Sequence, residues 1–520
     1  MLRPPSTGDV IAGVSVAFIV IPQSLAYAEL AGIPAQYGLF ASALPAIAAA
    51  VFVSSRQLQT GPVALTALLT FGALAPLAEP FSQAYIKLAA LLAVLVGVVR
   101  TLLGLIRAGR LAYLLSEPVL QGFTTGAAIL IVASQIPRVL DVSRAGDGVL
   151  LDAATALSEP SQWRLGAILF AAGTALTMVL GRRFHQLFPG VLIALLLSLA
   201  LSSGTNYEGS TIGELSGDFV ALRFSFPWSS TWQLALPAIA IALVGFAEPA
   251  SIARIFASED RESWDSNREF VSQGVANIVS GLSGAFPVGG SFSRSLLSRD
   301  AGASSPWAGA ITGAVVLAAL PLTPRLAALP TSVLGAIVIV AVARLIKIGR
   351  IVRLFRQSGA QAAVAAGTLL ATLATAPQVQ WGVVTGVVLA LLAHLYRELA
   401  VTAPVHRSAN RLTVTPQGVL WFATVPALDE LLRNEVIDNP GIDHVDIDLS
   451  GVGRLDYSGA AALARIAADL EERGTSVEFS HIPAGAARAA RIHLGFPESP
   501  PLPADPSIPP VPTRTTTEQS

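Results

Sequence analysis

The chain has 520 residues, 53% of them hydrophobic and only 13% charged, with a net charge of −1 and no cysteine. A soluble globular protein carries about 25% charged residues, so this composition excludes a disordered chain, a nucleic-acid binder with a basic face and an ordinary cytosolic enzyme. Without cysteine there is no disulfide framework, no thiolate metal site and no thiol nucleophile.

What remains is a polytopic α-helical membrane protein. A spanning helix needs about 20 mostly apolar residues. Such stretches recur over 9–31, 36–54, 61–78, 84–106, 115–136, 164–181, 187–203, 232–257, 269–285, 291–299, 306–322, 331–346, 359–376 and 380–396. These are about fourteen transmembrane segments, of which the third and tenth are too short to cross alone as helices. No A-x-A cleavage site follows the first stretch, which is therefore read as a span and not as a removable signal.

With a cytoplasmic N-terminus, Arg56, Arg100, Arg107, Arg110, Arg182, Arg183, Arg254, Arg261, Arg268 and Arg299 fall inside, as does the cluster Arg344, Lys347, Arg350, Arg353 and Arg356. Lys87, Arg138, Arg144, Arg164, Arg223 and Arg325 fall outside. The bias is strongly positive-inside, and even parity returns the C-terminus to the cytoplasm. Nearly all the cations are arginine, as in a GC-rich bacterial genome, which points to a bacterial inner (cell) membrane.

Beyond Arg397 the pattern changes. Residues 407–424 read as a strand pair with a turn at Pro416–Gly418, and 425–437 have helical period. His444–Ser450 alternates as a strand, Ser458–Arg473 is an amphipathic helix closed by Gly474, Ser476–Ile482 is a further strand, and 484–494 is helical. The domains expected are 1–398 in the membrane, a small cytoplasmic α/β domain over 399–496, and a disordered Pro/Thr/Ser-rich tail over 497–520.

Two motifs of the first half recur in the second. IPQSLAYAELAG (21–32) in the first span answers VGFAEPASIARIFA (244–257) in the eighth, with Pro22 and Pro249 about 227 residues apart. GPVALTALL from Gly61 answers GGSFSRSLL from Gly289 at an offset of about 228. Each half holds seven segments, so the repeat is inverted in the membrane. Paired interrupted segments of that kind mark a transporter site near the midplane. Their half-helix N-termini converge there, and such a site prefers an anion.

Arg294 lies in the first turns of the tenth segment. A charge at the membrane centre costs about 2.5–3.5 kcal/mol on the insertion scale, so it needs a ligand or a partner. The alternatives are an arginine that snorkels to the interface or a structural pair. Ser291 and Ser293 add hydroxyls at the same half-helix start. Glu248 sits inside the eighth span, where an acid either couples anion movement to protons or simply pairs with Arg294. Gln23 and Tyr27, at i and i+4 on the first helix, share a face that can wall the substrate, although Tyr27 also suits plain packing. Glu29 is read as solvated at the outer end.

With these residues in place, the chain resembles the SulP (sulfate permease) anion transporter family. The resemblance rests on GDVIAGVSVAFIVIPQSLAYAELAGIPAQYGLFAS (8–42), SSRQLQTGPVAL (54–65), PVGGSFSRSLL (287–297) and a C-terminal domain that looks like a STAS domain. It implies a 7+7 inverted repeat divided into core and gate domains that move against each other, assembled as homodimers. It implies substrate contacts from Gln23, Tyr27, Val63, Ser291, Ser293 and Arg294, and proton coupling at Glu248. Sodium-coupled bicarbonate members imply an alternative in which Glu248 and Ser251 hold sodium. In soluble relatives of the STAS domain a serine is phosphorylated, and the DYSG stretch aligns Ser458 with it; an N-cap role for Ser458 is the simpler reading.

Three function classes follow: a secondary active transporter of a small inorganic or carboxylate anion, an anion channel or motor-like relative, and a membrane sensor. A passive pore has little need of a titratable acid, so Arg294 with Glu248 favours coupled transport. No GxxxxGK[ST], HExxH or GxSxG motif occurs, so neither ATP-driven transport nor an enzyme is expected, and no cofactor, metal site or nucleic-acid partner.

Overall fold

A computed structural model describes residues 4–110, 116–143, 148–184, 188–205, 207–215, 217–399, 402–481 and 494. Nearly all of the expected helix over 484–494, the tail 497–520 and Arg144 lie outside the described residues. The chain divides into two compact units, 1–391 and 392–520.

The first half of the membrane unit comprises α1 (Thr7–Leu30), α2 (Gln36–Ser42), α3 (Leu44–Phe52), β1 (Thr60–Gly61), α4 (Ala64–Leu74), α5 (Gln83–Leu105), α6 (Glu117–Leu140), α7 (Val149–Ser158), α8 (Leu165–Phe184) and α9 (Gly190–Gly204). The second comprises α10 (Thr231–Asp260), α11 (Ser266–Leu282), β2 (Gly289–Gly290), α12 (Phe292–Asp300), α13 (Trp307–Ala319), α14 (Thr331–Val342), α15 (Ile348–Gln357), α16 (Gly359–Ala374) and α17 (Gln380–Leu399). All fourteen expected segments are present. The second is broken at Ala43, because Pro45 enters at the start of α3 and cannot continue the preceding helix. Helices α7 and α15 fall in connections that the sequence reading left without structure.

Local chemistry sets the ends. Ser6 and Asp9 form a reciprocal capping box at the start of α1. Asp9 also accepts from the Ser304 and Ser305 backbone N–H groups at 2.8 and 2.9 Å, which ties α1 to the loop before α13. Helix α4 has 11 residues and α12 has nine. At 1.5 Å per residue each covers about half of a ~30 Å hydrocarbon core.

The helices pack in two sets. One contains α1 to α5 and α10 to α13; the other contains α6 to α9 and α14 to α16. Within them the contacts recur with the halves exchanged: α1 packs on α13 as α10 packs on α5, and α6 on α16 as α14 on α8. The repeat closes on itself at β1 and β2, which pair antiparallel with Thr60 opposite Gly290 and Gly61 opposite Gly289. The shared offset in the sequence is therefore a 7+7 inverted repeat in space, with the two interrupted segments crossing at its centre. One asymmetry breaks it. Helix α1 packs on α14 and α9 of the other set, while α10 has no comparable contact with α6 or α17 among the described residues.

The second unit is α/β. Strands β3 (Val405–Ser408), β4 (Arg411–Val414), β6 (His444–Asp448) and β8 (Ser476–Ser480) form one sheet in that order, with β3 antiparallel to β4 and the rest parallel. A separate parallel pair joins β5 (Gly418–Leu420) to β7 (Val452–Leu455). Helices α18 (Val425–Asp438) and α19 (Tyr457–Glu472) contribute Leu428, Leu432, Leu463 and Leu470 to a core with Leu412, Val414, Val445 and Ile447. The hairpin expected at Pro416–Gly418 turns instead at Ala409–Asn410, where Ala409 takes φ 53°. Gly418, at φ 111°, leads into a strand that leaves that sheet. Strand β7 was not foreseen.

Candidate anion-binding site

Where β1 ends the chain turns into α4 with Val63 as N-cap, and where β2 ends it turns into α12 with Ser291 as N-cap; neither residue caps with its side chain. Two helix N-termini thus open at one crossing, with first-turn N–H groups that no intrahelical carbonyl can serve. Gln59 fixes α12 against this crossing. Its carbonyl accepts from Ser291 N–H at 3.0 Å, its N–H donates to Ser295 Oγ at 2.9 Å and its Nε2 to Ser298 Oγ at 2.9 Å.

Arg294 is 1% exposed. Its Nη1 donates to the Pro62 carbonyl at 2.7 Å, while Nε and Nη2 have no hydrogen-bond partner. Among the described residues no carboxylate oxygen lies within 4 Å of it, so the structural ion pair with Glu248 does not form. It does not snorkel either. Tyr27 and Glu248 are the groups in electrostatic range. Glu248 Oε1 instead accepts from the Phe292 N–H at 3.2 Å, which places the acid on a first-turn donor of α12. Ser291 and Ser293 bring their hydroxyls within 3.4 Å of each other. The backbone of β1 runs against the guanidinium: a Cβ on Gly61 would lie 3.5 Å from Nη2.

The structure therefore gathers Tyr27, Glu248, Ser291, Ser293 and Arg294 around the crossing, with Val63 at the opposing helix start. Gln23 is buried one turn before Tyr27, and its side chain has no hydrogen bond among the described residues. Ser251, half-buried on α10, has none either. In the second unit Ser458 is exposed at the second position of α19; the N-cap is Asp456, whose Oδ1 accepts from Gly459 N–H at 2.6 Å, so the capping role expected of Ser458 is not filled.

Three features were missed. Arg100, counted above with the cytoplasmic-side cations, is fully buried on α5 and donates to the carbonyls of Ile241, Ala242 and Val288, each at 3.0 Å. It supports the backbone of α10 and the approach to β2. Helix α11 carries a buried polar ladder. Glu269 Oε2 accepts from Ser54 and Ser55 N–H, Gln273 Nε2 donates to Thr60 Oγ1 at 2.8 Å, and Asn277 exchanges two 3.0 Å hydrogen bonds with the Val288 backbone. The i, i+4, i+8 spacing of 269, 273 and 277 in an apolar span was the available signal. Finally, Glu29 is not solvated: it pairs with Arg138 at 3.1 Å, joining the end of α1 to the end of α6.

Two inverted halves aimed at one buried, unneutralised cation define a membrane protein of the inverted-repeat class. The sequence matches the Sulfate permease family over residues 7–403 and the domain described as "Mlab, STAS domain" over 404–493, and the chain belongs to that permease family. It is 30% identical over 516 residues to the chloroplastic sulfate transporter 4.1 of Arabidopsis thaliana, covering 91% of this chain and 75% of that one. It is 28% identical over 509 residues to the sodium-independent sulfate anion transporter of Bos taurus, covering 90% and 82%. Its fold is that of the murine solute carrier 26 family member A9 anion transporter, with TM-score 0.87 at 21% identity, covering 94% of this chain and 88% of that one. The transmembrane domain of a cyanobacterium bicarbonate transporter is similar over 74% of this chain and 97% of that one, at TM-score 0.62 and 22% identity.

Proposed function

We propose that this protein is a secondary active transporter of a small anion of the sulfate, bicarbonate or dicarboxylate class, coupled to protons and working by an elevator-like movement of one helix set against the other. The observation that carries the reading is Arg294: a buried guanidinium with two unserved nitrogens and no carboxylate within 4 Å among the described residues, at the meeting of two helix N-termini. Gln23, Tyr27, Val63, Ser291 and Ser293 line the anion's place.

Glu248 supplies the coupling. While ionised it holds the Phe292 N–H and repels an incoming anion; protonation removes the repulsion and frees that donor. Anion and proton then favour each other's binding by the same factor. Alternating access is supported by how the two sets meet. The Glu29–Arg138 pair bridges them in the wall of a cavity of about 270 Å³, and a second cavity, of about 290 Å³, reaches Ser293 past Arg344. In this reading the second cavity faces the cytoplasm, both termini are cytoplasmic, and the protein is a homodimer in a bacterial inner membrane.

The test is uptake into proteoliposomes with a panel of anions under imposed proton or sodium gradients. Proton-driven accumulation that Glu248→Gln abolishes, with anion exchange retained, is the expected result. Uptake driven by sodium alone would instead assign Glu248 and Ser251 to a cation site. Gradient-independent flux would make the protein an exchanger or channel.

A further inference from the structure

Helix α15 joins α14 to α16, and its residues sort by angle into three faces. Ile351 is 5% exposed and Leu354 half-buried, facing the protein. Ile348, Val352 and Phe355 lie at i, i+4 and i+7 and are 52, 53 and 59% exposed. Arg350, Arg353 and Arg356, at i, i+3 and i+6, form the third face beside that strip, all exposed. With Arg344 and Lys347 they make five cations within 13 residues, and among the described residues none of the five has a carboxylate within 4 Å. A solvent-facing helix would not present a strip of isoleucine, valine and phenylalanine to water; a spanning helix would not carry three arginines along one side.

We propose that α15 lies in the plane of the membrane interface and is a docking surface for anionic phospholipid headgroups. Its position requires the interface, since it is ten residues long and sits between two membrane-spanning segments. The apolar strip enters the acyl boundary, and the arginines reach the headgroup phosphates. The choice of lipid follows from charge: three arginines along α15 with no carboxylate within 4 Å among the described residues suit an anionic leaflet and gain little from a zwitterionic one. Because α15 packs on α16 and α6, the lipids anchor the helix set that does not carry Arg294.

The test uses the full-length chain in nanodiscs made from phosphatidylcholine with one quarter phosphatidylglycerol, counting retained lipids by native mass spectrometry. Wild type should retain phosphatidylglycerol and phosphatidylcholine in a ratio about tenfold above the one-to-three ratio of the nanodisc. Arg350→Gln/Arg353→Gln/Arg356→Gln should lose that preference while keeping the wild-type melting temperature in pure phosphatidylcholine, and the triple lysine variant should retain it. With Phe355→Trp, brominated phosphatidylglycerol should quench the added tryptophan more than brominated phosphatidylcholine does. No lipid preference in wild type, or an unchanged preference in the glutamine variant, overturns the proposal. So does equal stabilisation by inorganic phosphate, which would make the arginines a free-anion site. Loss of a dimer at unchanged lipid retention would assign the face to a second copy. None of these readouts depends on transport, so failure here leaves the anion site untouched.

Discussion

Arg294 and Arg100 are both buried guanidiniums, and their surroundings give opposite expectations. Arg100 is served by three carbonyls, so Arg100→Leu should destabilise the protein by about 3 kcal/mol by leaving those acceptors unpaired. Melting in detergent checks this; an unchanged melting temperature would mean water replaces the guanidinium. Arg294 has one bond and two idle donors, so Arg294→Ala should cost less stability and at least tenfold in anion affinity, read by anion-dependent thermal stabilisation. The sequence made Glu248 conspicuous because it interrupts apolar text beside Pro249, and Arg294 because it follows the Gly289–Gly290 pair at a half-helix start. Arg100 stood at the edge of a span, where an arginine reads the same whether it faces water or bends back onto a neighbouring helix. Only the position of α10 decides that.

Among the elements, the crossing of β1 and β2 depends on missing side chains. A Cβ on Gly290 would lie 2.8 Å from Pro249 Cβ and 2.9 Å from Leu58 Cδ1, whereas one on Gly61 meets nothing closer than 3.5 Å. Gly290→Ala should therefore disturb folding, by about 1–3 kcal/mol. Gly61→Ala should fold normally and weaken anion binding by covering Arg294. Equal stability of the two variants would show that the crossing gives way. In the second unit, the Ser450 backbone N–H at 2.9 Å holds the Asp448 carboxyl below its usual range. A lowered folded-state pKa adds stability above the unfolded value of about 4, and that stability is lost as the pH falls. Asp448→Asn should cost about 1 kcal/mol at pH 7 and nothing near pH 2, measured by melting of the second unit. Helical spans were legible from hydropathy alone. Strand β7 was not, because a four-residue strand has no period to read; β5 was read as a strand but given the wrong partner, and α15 was hidden because its arginines resembled an ordinary basic loop.

For the whole molecule, duplication was readable from two motif pairs, whereas the bridging of the two helix sets by Glu29 and Arg138 was not, since the partners stand 109 residues apart. In the alternating-access reading, Glu29→Gln should loosen that contact. A cysteine placed at Tyr27 on this cysteine-free background should then label from the Glu29 side about fivefold faster, the shift that about 1 kcal/mol produces. Unchanged labelling would make the pair ornamental to access.

Arg294 and Glu248 stand near each other without touching, and this separation has an electrical consequence. In the proton-coupled reading proposed above, and counting these two charges, the empty carrier with Glu248 ionised crosses the bilayer neutral. With a proton and a monovalent anion aboard it is neutral again; with a proton and a divalent anion it carries one negative charge. Moving one elementary charge through 100 mV is worth about 2.3 kcal/mol. An inside-negative membrane voltage should leave monovalent uptake almost untouched and slow divalent uptake steeply, so the valence of the cargo decides whether the cell's own potential opposes its entry.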